Sequence, residues 1–521
     1  MTPSPLLAAL LALCSVGSAS AATFIVDTGI DTALTSCLPA TPDDCSLRGA
    51  LQRANETAAA DRIEFAIPTS DPSYQSATAH WRIAVGTGAL PLIENPVVID
   101  GYTQPGALEN TQTPDQGGLD TVLVIELVPG TSFGTQQNGL EHSLNFPDQA
   151  ASTFRGLAIS RFSRQIQLGG SAGHRIEGCF LGTDISGSVA AVPGSAGRGT
   201  GIVALGSGPY VIGGTAPASR NLISGMFGGI VLQRPIDGLV IQGNLIGTDF
   251  SGTVAIPHTS FAAIQSSAFV TNARIGGDTS AARNVISGNP LGAINFDGGA
   301  NGAFAGTRIQ GNYIGTDASG TGPLGNSEGG PLQAAVRIFG SGSNCAITIG
   351  GDLPGEANRI AFNAGAGVGV VQCRRVDAGG NRFLGNRGLP LDLAGNGGSV
   401  FDGPSPNDAG DADEGSNRLQ NSPVIENVAY SNGGNTITLT YRVDTAAANA
   451  VWPLRISVAR GTGAGSLQID SYTQAQAQTS ATVSFPASTL QGAPFMLLAT
   501  DADGNCSEFA NDAIFTDALG G

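Results

Sequence analysis

Apolar residues in this chain fall in short β-type runs punctuated by glycine and asparagine, not along one face of long helices. Runs such as Gly229-Ile230-Val231-Leu232 and Leu239-Val240-Ile241-Gln242 end in turn residues, and helical periodicity is missing among them. The pattern repeats. Cys179-Phe180-Leu181-Gly182-Thr183-Asp184 returns as Asn244-Leu245-Ile246-Gly247-Thr248-Asp249 and as Asn312-Tyr313-Ile314-Gly315-Thr316-Asp317, a period of 65 to 68 residues. Ile-Gly-Gly occurs at 212–214, 275–277 and 349–351, and Arg220-Asn221-Leu222-Ile223-Ser224-Gly225 is echoed by Arg283-Asn284-Val285-Ile286-Ser287-Gly288. Three strand runs per unit predict coils of about 22 residues, the size of one parallel β-helix turn, whereas a propeller blade needs about 40 to 50. We therefore expect three super-repeats of three coils each.

The patterning changes towards both ends. Leu47, Ala50, Leu51 and Ala54 share one helical face behind Asp43, Asp44 and Ser46, which predicts a short amphipathic helix capping the solenoid. After Asn396, a Gly-, Pro- and Asp-rich stretch leads to alternating runs such as Thr436-Ile437-Thr438-Leu439-Thr440-Tyr441, suited to an immunoglobulin-like sandwich. The expected fold is all-β: a right-handed parallel β-helix with an N-terminal capping helix and a C-terminal immunoglobulin-like β-sandwich. Its expected divisions are 1–21 signal peptide, 22–100 cap and first coils, 101–396 β-helix repeats, 397–420 acidic linker and 421–521 sandwich. The signal peptide rests on an apolar run from Leu6 to Val16, too short to span a bilayer, and the small residues Ala19-Ser20-Ala21.

Six cysteines follow that segment without CxxC spacing or clustered histidines, which points to disulfides in an exported chain. Cys37 and Cys45 would close a short loop, and Cys345 and Cys373 would bridge one coil to the next. Partners for Cys179 and Cys506 stay open. All 24 positive charges are arginine, so lysine Schiff-base chemistry and a P-loop are excluded. The net charge of −17 repels nucleic acid, anionic membranes and acidic polysaccharides, the last unless a cation or a local arginine patch intervenes.

Candidate residues follow from the same pattern. Asn221, Asn244, Asn284, Asn312 and Asn381 follow or end strands, where asparagine tolerates the left-handed conformation and stacked amides can bond coil to coil. Asp184, Asp249 and Asp317 read as Asx-turns in projecting loops, and the scattered His80, His142, His174 and His258 as surface or loop residues. Arg359, Arg374, Arg375, Arg382 and Arg387 are close enough in sequence for coil stacking to place them on one face, where an arginine base and calcium-held uronate would make a lyase. The competing reading pairs them with Glu356, Asp377 and Asp392. Asp408, Asp411, Asp413, Glu414 and Asn417 crowd oxygen ligands into a candidate Ca2+ loop, although an acidic linker holding two domains apart explains the same residues. Asp501-Ala502-Asp503-Gly504-Asn505 is a weaker second candidate.

Cys45-Ser46-Leu47-Arg48-Gly49-Ala50 resembles the CSLREA motif of secreted bacterial β-helix proteins. Ile99-Asp100-Gly101-Tyr102-Thr103-Gln104-Pro105-Gly106-Ala107, the Ile-Gly-Thr-Asp-x-Ser-Gly repeats and Asn417-Arg418-Leu419-Gln420-Asn421 are similar to the same group. The resemblance implies export and a β-helix and carries no established activity or catalytic residue. Gly49 stands where the motif has Glu, a change expected to weaken the helix by about 1 kcal/mol. These features together predict a secreted or cell-surface scaffold that binds carbohydrate or another surface without catalysis, and that neither binds nucleic acid nor spans a membrane. The alternative is a polysaccharide lyase or glycoside hydrolase acting on an acidic glycan along the β-helix face.

Overall fold

The computed structural model describes residues 20–86, 88–130, 137–145, 151–171, 173–192, 199–298, 304–327, 334–395, 403–460, 467–490 and 495–510. The expected signal peptide lies outside these, apart from Ser20 and Ala21. The chain is mostly strand, built around an 18-stranded sheet and an 11-stranded sheet whose pairings are parallel save for one short hairpin, Tyr74–Gln75 with His80–Val85. One coil runs through Thr200–Ala204, Tyr210–Gly213 and Leu222–Ile223, and the next through Gly228–Leu232, Val240–Gln242 and Leu245–Ile246. Each strand pairs in parallel with its counterpart one coil on, giving three ladders of a parallel-strand solenoid.

The register stacks like on like. Ile202, Ile230, Ile264 and Ile294 form one column, Ile212, Ile241, Ile275 and Ile309 a second, and Ile223, Ile246, Ile286 and Ile314 a third. All are buried in one continuous core. β-Branched side chains fit this pleated stacking with little rotamer freedom left to lose.

Asparagine amides join the coils at a buried corner. Asn221 Nδ2 donates to Asn244 Oδ1 at 2.8 Å, and the chain continues through Asn284, Asn312, Asn358 and Asn381 at 2.9 to 3.0 Å. Each amide also donates back to a carbonyl of the preceding coil, as Asn284 does to Ile241 O at 2.8 Å. None of these asparagines has a positive φ, so the left-handed role expected of them is not theirs. Gly243 and Gly311, just ahead of two of them, take that conformation. Cys179 fills the first rung, its N–H donating to Asn221 Oδ1 and its thiol to Glu177 O.

The rungs also correct the coil count. From Cys179 to Asn381 they lie 42, 23, 40, 28, 46 and 23 residues apart, so each unit of 65 to 69 residues holds two coils, one long and one short, instead of three. The long coils carry the Thr-Asp-x-Ser-Gly loops, each a turn in which the aspartate accepts two backbone N–H groups, as Asp249 Oδ1 does from Thr253 and Val254 at 3.0 Å. Successive loops bond to one another, Phe250 N to Gly187 O and Ala318 N to Gly252 O. Beneath them Phe180, Leu222, Leu245 and Val285, which face outwards from the third ladder, make a second apolar cluster with Leu119 and Leu123.

Both ends of the described solenoid are covered. Thr23–Val26 pairs with Asp61–Phe65 as its first strand, and the helix Leu47–Ala54 buries Leu47, Ala50, Leu51 and Ala54 against it. Ser46 caps the helix by accepting from Gly49 N at 3.0 Å, and Cys37 and Cys45 are bridged with Cα atoms 4.4 Å apart. At the other end, two three-stranded antiparallel sheets share one core and dock on the last coils. Leu498, Cys506 and Phe509 of that unit enter the solenoid core itself. Cys345 and Cys373, Cα atoms 5.8 Å apart, form the expected coil-to-coil bridge. Residues 403–420 are no repulsive linker: Ser416 Oγ donates to Ala394 O, and Asn417 Nδ2 to Val376 O and Cys506 O, lacing solenoid to sandwich.

Gly49 also departs from expectation. A Cβ there would sit 1.6 Å from Leu34 O, because the loop ahead of the helix lies directly against its first turn. Helix propensity predicts that Gly49→Ala gains up to about 1 kcal/mol, whereas this contact predicts a loss of about 1 to 3 kcal/mol from overpacking. Urea denaturation of the variant gives the sign, and a raised midpoint would contradict the packing account.

Candidate functional site

The last coils and the sandwich enclose an open pocket of about 450 Å³ lined by Thr348, Arg375, Asp377, Arg455, Gln468 and Ser471 and by the turn Asp501–Gly504. The second ladder delivers Thr348 and Asp377 to it, paired in register on adjacent strands. Arg455, from the sandwich, reaches over to donate to Asp377 at 2.7 and 2.8 Å and lies 3.5 Å from Asp352. Burial works against its charge, and these two carboxylates more than offset that. Asp501 holds the opposite wall, its Oδ1 accepting from Asp503 N and Asn505 N. The weaker calcium candidate, Asp501–Asn505, is therefore a turn whose first carboxylate is already bonded.

The arginine cluster divides. Arg374 pairs with Glu414, while Arg375 donates from Nε to Asp503 O at 3.2 Å and lines the junction pocket. Arg359 and Arg382 sit opposite one another on the third ladder, and exposed Arg387 lies beyond them. One face does not hold all five, because Arg374 and Arg375, on the strand Ala366–Asp377, turn to Glu414 and Asp503 while Arg359 and Arg382 lie on the third ladder. Of the acidic partners expected for them, Asp377 serves Arg455, and Glu356 accepts from Leu353 N.

Asp408, Asp411 and Asp413 converge, each offering an oxygen within 4.8 Å of the others. Glu414 and Asn417 leave the expected ligand set, one drawn to Arg374 and the other to the Val376 backbone. Burial first, and then the neighbouring carboxylates, pushes Asp411 up to about 7 and Asp413 up to about 6. Asp411 accepts from Asn421 N, Gln420 Nε2 and Thr445 Oγ1, whereas the buried Asp413 Oδ1 has no hydrogen-bond partner among the described residues.

Several residues escaped the sequence reading. A second amide ladder, Asn289, Asn326, Asn363 and Asn386, runs through the coils at 2.9 to 3.2 Å, its 37-, 37- and 23-residue spacings obscured by the inserted loops. The histidines are all buried, against expectation. His80 contacts Glu126 at 3.0 Å beside Arg82, and His258, which accepts from Met226 N, heads the second amide ladder by donating its own backbone N–H to Asn289 Oδ1. His142 and His174 stack at 3.9 Å inside the solenoid, in line with Tyr210. Cys179 and Cys506 are buried thiols, each pushed up to about 12 by desolvation, which leaves them inert. Two disulfides fit an oxidising, extracellular environment, and no helix among the described residues is long and apolar enough to cross a membrane. No family model and no curated protein matches the chain.

His174 accepts from Ser152 N at Nδ1 and donates from Nε2 to Gly169 O, so it is held neutral, and burial lowers it to about 4. Between pH 6.5 and about 4 the unfolded chain therefore binds a proton that the folded chain refuses. This contribution to stability is complete above pH 6.5 and falls with pH through that window, by about 3 kcal/mol at its lower end. Urea midpoints at pH 7 and pH 4.5 should diverge more in the native protein than in His174→Gln, and equal divergence would contradict it.

Proposed function

We propose that the chain is an exported scaffold, a right-handed parallel β-helix closed by a capping helix and an immunoglobulin-like sandwich, which binds carbohydrate or another cell-surface component without catalysis. The observation that carries this reading is the junction pocket, open and lined by guanidinium, amide and hydroxyl groups at a domain interface, where ligand sites concentrate. Two of its carboxylates, Asp377 and Asp501, are engaged with Arg455 and with a turn, which favours recognition over proton transfer. Right-handedness rests on the strong preference of parallel crossovers. Membership of the CSLREA group is part of the proposal, supported by a role for each matching residue: Cys45 bridged, Ser46 capping, Leu47 and Ala50 buried, and Arg48 paired with Asp31.

Glycan-array binding by the whole protein tests the reading. Binding that weakens at least about tenfold in a Gln468→Ala, Ser471→Ala variant is expected, a loss of about 1.4 kcal/mol. Unsaturated product released from pectate or alginate, and abolished by Arg382→Ala, would contradict it in favour of a lyase.

Calcium belongs to the same proposal, with Asp408, Asp411 and Asp413 as its ligands and the clasp between solenoid and sandwich as its effect. Because protons compete at Asp411 and Asp413, binding should weaken as pH falls from 7 to 5. Calcium should raise the melting temperature at pH 7, less at pH 5, and not in Asp411→Asn, Asp413→Asn. A melting temperature indifferent to chelator would contradict the site.

A further inference from the structure

The outward positions of the second ladder run, coil by coil, through Val211, Val240, Arg274, Arg308, Thr348 and Asp377. Arg274 and Arg308 are therefore cross-strand neighbours on strands about 4.8 Å apart, and both are exposed. Like charges directly opposite each other are unfavourable in a sheet. Several other arginines on this solenoid carry a carboxylate, as Arg175 does Glu177 and Arg283 does Asp115, and Arg455 of the sandwich carries Asp377. Arg274 and Arg308 have no ion pair among the described residues, on a chain whose net charge is −17. Their row continues directly into the junction pocket, since Arg308 pairs in register with Thr348, which lines it beside Arg375.

We propose that Arg274, Arg308 and the junction pocket form one binding track for a linear polyuronate, an acidic polysaccharide carrying one carboxylate per sugar. The track rests on the carbohydrate-binding reading above and gives it a ligand class. Guanidinium forks pair with carboxylates in bidentate geometry, and two of them on neighbouring coils meet successive charges along an extended chain. Thr348, Gln468 and Ser471 then supply donors and acceptors for sugar hydroxyls. A sulfated glycosaminoglycan has its carboxylates only on alternate sugars and so does not present one to each guanidinium, and the overall negative field acts against nucleic acid.

The test uses the whole protein, with oligogalacturonate, chondroitin sulfate and neutral dextran as probes, and the variants Arg274→Gln, Arg308→Gln and Arg274→Lys, Arg308→Lys. Both positions are exposed, so the melting temperature should not fall in either pair, and relief of the like-charge contact should raise it slightly in the glutamine pair. Oligogalacturonate should bind in preference to the other two, more weakly as salt rises. The glutamine pair should lose at least about tenfold in affinity, and the lysine pair should recover part of it by restoring charge without the fork. Undiminished oligogalacturonate binding in the glutamine pair overturns the track, as does a preference for chondroitin sulfate. Binding to neutral glycans alone, unchanged in the variants, overturns the track and leaves the pocket reading standing. Binding to no glycan overturns both.

Discussion

The structure depends on bonding each coil to the next at a corner where water does not reach. A turn between strands exposes backbone N–H and C=O groups that neither neighbouring strand can satisfy, and burying them unpaired is costly. A primary amide meets both needs, since its oxygen accepts from the preceding coil's asparagine amide while its NH2 donates backwards and forwards. Asn284 does this with Asn244, Ile241 and Asn312. The isoleucine columns supply the apolar burial, but they would tolerate sliding of one coil on another, whereas the amides set the register.

That constraint decides which surfaces remain for function. The Thr-Asp-x-Ser-Gly loops stack over the third ladder and use its outward apolar residues as a foundation. The capping helix and the sandwich close the two ends, the latter by placing Leu498 and Phe509 in the solenoid core. The second ladder keeps exposed outward positions, and its composition shifts along the axis. Near the N-terminal end Arg62, Asp100, Arg155 and Glu177 neutralise one another or their neighbours, while near the sandwich Arg274 and Arg308 stand unneutralised.

The sequence revealed those features that sit in recurring local motifs. The five asparagines, the aspartate turns and the Cys345–Cys373 bridge are local or coil-periodic, so stacking followed from spacing. The coil count went astray because third-ladder strands are only two residues long, as at Leu245–Ile246, and because loops lengthen alternate coils. The second amide ladder was hidden by the same insertions. The histidines misled for a different reason: nothing in the immediate sequence of His142 or His174 shows that coil stacking lays one imidazole on the other. Partnerships across the junction, such as Arg455 with Asp377 and Asn417 with Cys506, join residues far apart in the chain and leave no periodic trace.

Native-state hydrogen exchange tests the amide ladder most directly. If the ladder holds the register, the backbone N–H groups of Asn221, Asn244, Asn284 and Asn312, each donating to the next rung, should exchange only through the solenoid's largest unfolding event. The N–H groups of Ser188, Thr253 and Thr321, bonded to aspartates in the projecting loops, should exchange earlier through local opening. Exchange of the asparagine amides as fast as that of the loops would contradict the account.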